Sequence, residues 1–169
     1  MHRYDESWER DALEVLPQFY GSPRNLAQCQ LSEIVLKTQN RVLDLRKPLD
    51  FYAWHLPGST NLPLSSVGPH TPSPFSDPGV LEAQWVELEK IFTDDVLVSD
   101  LGRHHILVVC YDGDSARVAT SVLRAKGVEA DSVRGGHRAL KMYGIGNESS
   151  ITAKEPLGAT ITVAPVPLE

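Results

Sequence analysis

The chain has 169 residues, 41% of them hydrophobic and 22% charged, with 16 Lys and Arg against 22 Asp and Glu for a net charge of −6. That length suits one domain with a full apolar core plus some flanking chain. A mildly acidic chain without a basic block lacks the footprint of nucleic-acid binding, and no apolar run reaches the length of a membrane span.

The start, "MHRYDESWERD", is too polar and acidic for a signal or transit peptide. The two cysteines, Cys29 and Cys110, are too few for a disulfide framework and have no zinc-ligand spacing. A reducing, cytoplasmic setting is the expectation.

Residues 1–27 read as an N-terminal arm or linker, with a helical turn around "ESWERDALEVL" and "GSPRN" as a breaker. "LSEIVLKTQ" (31–39) predicts a short helix behind Ser32. "RVLDLR" (41–46) is β-rich and bounded by polar residues, which predicts a strand. "PLDFYAWH" (48–55) opens with a proline, as a helical first turn does, and "LPGSTNLPL" returns to extended chain near 60–63. "GPHTPSPFSDPG" (68–79) is a Pro-rich, irregular insert, read as an exposed loop, with domain contact or cover of a site mouth as the other roles considered. Leu81, Trp85, Leu88 and Phe92 then fall at the spacing of an amphipathic helix.

"HILVVC" (105–110) is a continuous apolar run of strand length, the pattern of a parallel strand buried on both faces. A helix over 115–126 follows, with Gly127 at its C′ position. "EADSVRGG" (129–136) predicts another strand and "HRALKMYG" a short helix. Residues 147–169 read as a flexible tail, with "GATITVAPV" as a further strand in the alternative. Alternation of strand and helix argues an α/β fold with a parallel sheet, whose ligands sit at the carboxyl ends of the strands. Cys110 falls at such an end.

A thiol ahead of a helix N-terminus meets unpaired backbone N–H groups and the positive end of the helix dipole. Both favour a thiolate or an anion bound beside it. In "CYDGDS" (110–115), Gly113 suits a loop needing positive φ, and Ser115 can cap the helix or turn its hydroxyl to the sulfur. On the local pattern alone, a buried cysteine ending a strand is slightly the better reading.

Other segments bear on that choice. "VLDLRKPLDFYAWHLPGSTNLPL" (42–64) resembles the rhodanese pattern through Asp44, Arg46, Asp50, Phe51, His55, Pro57, Gly58 and Asn61, with Trp54 where glycine is usual. The loop resembles the family's six-residue Cys-x-x-Gly-x-Ser/Thr/Arg loop, close to that of single-domain thiosulfate sulfurtransferases. "VRGGHRALKMYG" (133–144) resembles the family's Gly-Gly turn and last helix. The resemblance implies a rhodanese-like domain over 28–146, with a five-stranded parallel sheet flanked by helices. It also implies a Cys110 persulfide, held by the loop amides of Tyr111, Asp112, Gly113, Asp114 and Ser115. The donor would be thiosulfate or another persulfide, the acceptor a thiol or cyanide, with no cofactor or metal. "AWHLPGSTNLPL", "TPSPFSDPGVLEAQW" and "SVLRAKGVEADSVRGG" further resemble the rhodanese domain at the C-terminus of pyridoxal-phosphate-dependent cysteine-synthase-like fusions, implying a fused or partner PLP enzyme.

The loop departs from its relatives in charge. Asp112 and Asp114 oppose a thiolate and repel an anionic donor. Arg117, Arg46 and Arg134 are the basic candidates for the pocket, although Arg117 on the outer helix face and Arg46 in a structural ion pair are the plainer readings. Phosphatase relatives resemble His-Cys-x5-Arg, whereas here Val109 precedes the cysteine and six residues separate it from Arg117, so phosphatase activity is not expected. His104 and His105 read as a solvated strand edge, His55 and His137 as packing or capping groups, Trp54 and Trp85 as core. Cys29 reads as a buried spectator, with a resolving thiol as the alternative. Two functions remain: a sulfurtransferase using Cys110, or a weakly active sulfur-carrier or regulatory module of a larger cysteine-metabolism enzyme.

Overall fold

The computed structural model describes residues 4–19 and 40–142. The helix expected over 31–39, Cys29 and the tail over 147–169 lie outside them. In chain order the elements are a 3-10 turn (Glu6–Trp8), β1 (Glu9–Arg10), α1 (Ala12–Phe19), β2 (Asn40–Asp44), α2 (Pro48–Ala53), β3 (Ser59–Asn61), α3 (Pro78–Ile91), α4 (Asp95–Leu101), β4 (His105–Val109), α5 (Asp114–Ala125), β5 (Ala130–Val133) and α6 (Gly136–Met142).

All pairings are parallel, and the strand order is β1-β5-β4-β2-β3. The chain leaves β2 toward one edge and β4 toward the other, so the sheet reverses direction between these two strands. The carboxyl end of such a reversal is where open α/β sheets take ligands. Cys110 sits there, one residue past β4.

The run that predicted β4 is buried on both faces, as its continuous hydrophobicity requires. Ile106, Val108 and Cys110 alternate onto one face, with Leu88 and Phe92 from the α3 region, Leu101 of α4, and Val118, Val122 and Leu123 of α5. Leu107 and Val109 face the other way, against Ala12 and Val15 of α1 and Leu140 of α6. The strand period therefore points the cysteine toward α5. Burial at roughly 25 cal/mol per Å² of apolar surface makes these two layers the main source of stability.

Part of the expected arm belongs to the sheet. Glu9 and Arg10 pair with Ser132 and Val133, and Ala12 and Val15 are buried. A two-residue edge strand carries no period to read. The anchor is Asp131, fully buried and bonded to Arg10 (3.1 Å), His105 (2.8 Å) and Arg124 (2.9 Å). His105 is thus a partner of a buried carboxylate and not a solvated edge. Helix α4 was not expected; its signal is Asp94, whose carboxylate accepts from the amides of Val96 (3.0 Å) and Leu97 (3.2 Å). Seven residues are too few for a convincing helical period. Among the described residues no helix is long and apolar enough to cross a membrane.

Candidate active site

The sulfur of Cys110 is enclosed by the turn that starts α5. Gly113 holds φ 98° at the N-cap, a left-handed conformation that glycine adopts without penalty. That turn aims two amides at the sulfur: Gly113 N donates to Sγ at 3.1 Å and Ala116 N at 3.2 Å. Ser115 is buried in the first helical turn, and the cap position expected for it falls to Gly113.

The Gly135-Gly136 turn clamps the loop from below. His137 N donates to the Cys110 carbonyl at 2.8 Å and Arg138 N to the Tyr111 carbonyl at 3.1 Å. A Cβ on Gly136 would stand 2.6 Å from the Cys110 carbonyl oxygen and 2.7 Å from Gly113 N. Only a glycine permits so close an approach of two backbones. From the side, the Tyr111 hydroxyl donates to Asp50 of α2 and accepts from Lys47 N at 3.0 Å.

Charge around the sulfur is unfavourable to a thiolate. Cys110 is 1% exposed. Burial, aided by the charge of Asp112, pushes its thiol up to about 12, against the pull of the Ala116 and Gly113 amides. Asp112 Oδ1 lies 3.9 Å from Sγ and accepts from Asp114 N at 3.0 Å. The Asp114 carboxylate has no hydrogen-bond or ion-pair partner among the described residues. The resting sulfur is therefore a protonated thiol in a ready-made set of amides.

All three arginines expected as candidates for the pocket are engaged elsewhere. Arg46 is buried and forked onto Asp44, with Nη2 at 2.9 Å from Oδ2 and 2.7 Å from the Trp54 carbonyl. Asn61 closes that corner by donating to the carbonyls of Asp44 and Arg46, both at 2.9 Å. Arg46 thus fastens the end of β2 to the segment after α2. Arg117 lies against Glu9 (3.8 Å) and over the rings of Tyr4 (4.8 Å) and Phe75 (4.6 Å). Its long stem carries the guanidinium away from the loop. Arg134 pairs with Glu9 and Asp11.

Among the described residues, the cation that reaches the loop is Arg138, which sequence reasoning passed over. Its Nη1 is 3.9 Å from Asp112 Oδ2, and its Nη2 donates to the Pro69 carbonyl at 3.2 Å. Its position in the first turn after the Gly-Gly pair was the available signal. Through this arginine, the start of the Pro-rich insert at Pro69 is linked to the cysteine loop. His137 packs its ring on Trp54 at 5.7 Å, and burial, then Arg46, lowers its pKa to about 4, so it is neutral at pH 7. His55 stacks on Phe51 at 3.8 Å and bonds its carbonyl, the packing and capping role expected of it.

A family model described as the rhodanese-like domain matches residues 29–142. The chain belongs to the rhodanese-like domain family. Among solved structures it is similar to a rhodanese-related protein from Thermoplasma volcanium, 16% identical, covering 80% of this chain and 92% of that one with a TM-score of 0.47. The reduced CoADR-RHD of Bacillus anthracis is 22% identical, covers 73% of this chain and 17% of that one, and has a TM-score of 0.43. A protein of unknown function from Rhodopseudomonas palustris, titled a possible tyrosine phosphatase, is 17% identical over 80% of this chain and 92% of that one, at a TM-score of 0.39. No curated protein matches the chain. Membership of the rhodanese-like family supports a sulfurtransferase or sulfur-carrier type of domain.

Proposed function

We propose that this rhodanese-like domain moves a sulfane sulfur from thiosulfate or another persulfide donor to a thiol or cyanide through a persulfide on Cys110. The observation that carries this reading is the pair of amides, Gly113 and Ala116, donating to Sγ at 3.1 and 3.2 Å. In the first half, the Cys110 sulfur attacks the outer sulfur of the donor. The donor's S–S bond breaks, and sulfite (or the donor thiolate) leaves with the electron pair. The proton of Cys110 is retained on the terminal sulfur of the persulfide or released to solvent. In the second half, an acceptor thiolate or cyanide takes that terminal sulfur and the Cys110 thiolate leaves, stabilised by the same amides. Splitting the transfer in this way is nucleophilic catalysis.

A second reading is favoured by the 1% exposure of Cys110 and its raised pKa. On it, the domain is a weakly active sulfur carrier or regulatory module of a larger cysteine-metabolism protein, receiving sulfur from a fused or partner PLP-dependent enzyme in the cytoplasm. Thiocyanate formation from thiosulfate and cyanide separates the two. An enzyme turns over many times and loses turnover in Cys110→Ser. A carrier takes up one sulfur at Cys110 and releases it without repeated cycles. If Cys110→Ser retains the wild-type rate, neither reading stands.

A further inference from the structure

We propose that the Asp112–Arg138 pair is the specificity gate of this site, and that it favours sulfane donors carrying an ammonium group and no net charge over dianionic thiosulfate. The inference rests on Cys110 being the sulfur-accepting group and asks which donor can approach it. Any donor must bring its outer sulfur to Sγ, and so place the group behind that sulfur near Asp112, 3.9 Å from Sγ. Asp114 adds a carboxylate that has no partner among the described residues, and the carboxylate of Asp50 is held at Tyr111.

The cations that could offset these charges are occupied. Arg46 is spent on Asp44, Arg117 on Glu9, and Arg134 on Glu9 and Asp11. The Lys47 ammonium keeps its charge but is held at the carbonyls of Leu64 (3.3 Å) and Ser65 (3.4 Å). Arg138 alone among these contacts the loop, where it offsets one of the two loop carboxylates and is tethered to Pro69. Among the described residues, the carboxylates of Asp50, Asp112 and Asp114 outnumber the cations of Arg138 and Lys47, so the balance is net negative. It repels a dianion twice as strongly as a monoanion, since Coulomb energy scales with charge. An ammonium on the donor finds carboxylates at the same place.

The step is the same for each donor of the thiosulfonate type. Cys110–SH and ⁻S–SO2–R give Cys110–S–SH and RSO2⁻: the new bond joins Sγ to the outer sulfur, and the leaving sulfinate takes the electrons of the broken S–S bond. Charge and atoms balance without an oxidant. Donors of this type differing in net charge therefore isolate the gate.

The test measures single-turnover persulfide formation with thiosulfate, methanethiosulfonate and 2-aminoethanethiosulfonate, whose net charges are −2, −1 and 0. Each rate is divided by the donor's rate with a small free thiol. The wild type is expected to rank them zwitterion first and thiosulfate last. Asp112→Asn keeps an oxygen for the Asp114 amide while removing the charge. It should raise the thiosulfate rate about tenfold and the methanethiosulfonate rate about threefold, the square-root relation that charge scaling requires, and leave the zwitterion unimproved. Arg138→Gln should lower thiosulfate most. If the three donors shift together in either variant, or wild type prefers thiosulfate, the gate is overturned while the persulfide reading stands. If no donor loads Cys110 in the wild type, both are overturned.

Discussion

Replacing Gly136 by alanine tests whether the Gly-Gly turn is what shapes the cysteine loop, and Gly127→Ala is its matched control. Both glycines have positive φ, 60° and 88°. Forcing an L-residue into the left-handed region costs about 1–2 kcal/mol, and this applies to both. The gain from a less flexible unfolded chain, about 0.4–1 kcal/mol, is also common to both and cancels in the comparison. They differ in space. A Cβ at Gly127 meets nothing within 4 Å, whereas one at Gly136 meets Cys110 O at 2.6 Å, Gly113 N at 2.7 Å and Asp112 N at 2.9 Å. Those are backbone atoms and cannot rotate aside, so overpacking adds about 1–3 kcal/mol. In urea, with a slope of about 2 kcal/mol per molar, Gly136→Ala should melt about 0.5–1.5 M earlier than Gly127→Ala. Loading of sulfur on Cys110 should slow in Gly136→Ala and hold in Gly127→Ala. Equal midpoints, with equal loading, would refute the claim that this contact holds the loop.

Two further outcomes follow from the buried ionisable groups. The folded pKa of Cys110, about 12, lies above that of an unfolded thiol, so its stabilising effect is complete below about pH 8.5 and is lost as pH rises toward 12. Relative to Cys110→Ser, wild-type unfolding free energy should fall by up to about 1.4 kcal/mol per pH unit across that window, and parallel curves would contradict it. Asp131→Asn leaves Arg10, His105 and Arg124 facing a neutral amide; breaking a buried pair of this kind costs about 3–5 kcal/mol, read from denaturant melts, and a loss below 1 kcal/mol would show the cluster to be dispensable.

Much of the frame was legible because it rests on long patterns. The β4 run, the spacing of Leu81, Trp85, Leu88 and Phe92, and the resemblance of Asp44, Arg46 and the Cys110 loop to rhodanese motifs led to the five-stranded parallel sheet that the structure shows. Alternation along β4 also dictates the face on which Cys110 lies. Short elements were not legible: β1 has two residues and is held by side chains 120 and more positions away, as Arg134 is by Glu9 and Asp11. Long cationic side chains were the other blind spot. Their guanidinium groups travel far from the backbone that carries them, so Arg117 leaves the loop it follows and Arg138 reaches one distant in sequence. No spacing rule encodes that choice, because it depends on which carboxylate the folded surface brings within reach.

Every functional outcome above depends on acceptance and onward transfer of a sulfur atom by the Cys110 sulfur. The most direct measurement of that transfer is the intact mass of the protein after exposure to thiosulfate or a persulfide donor, in wild type, Cys29→Ser and Cys110→Ser. One added sulfur, removable by cyanide, is expected in the first two proteins and none in Cys110→Ser. An adduct that survives in Cys110→Ser, or no adduct in the wild type with any donor, would contradict this role of Cys110.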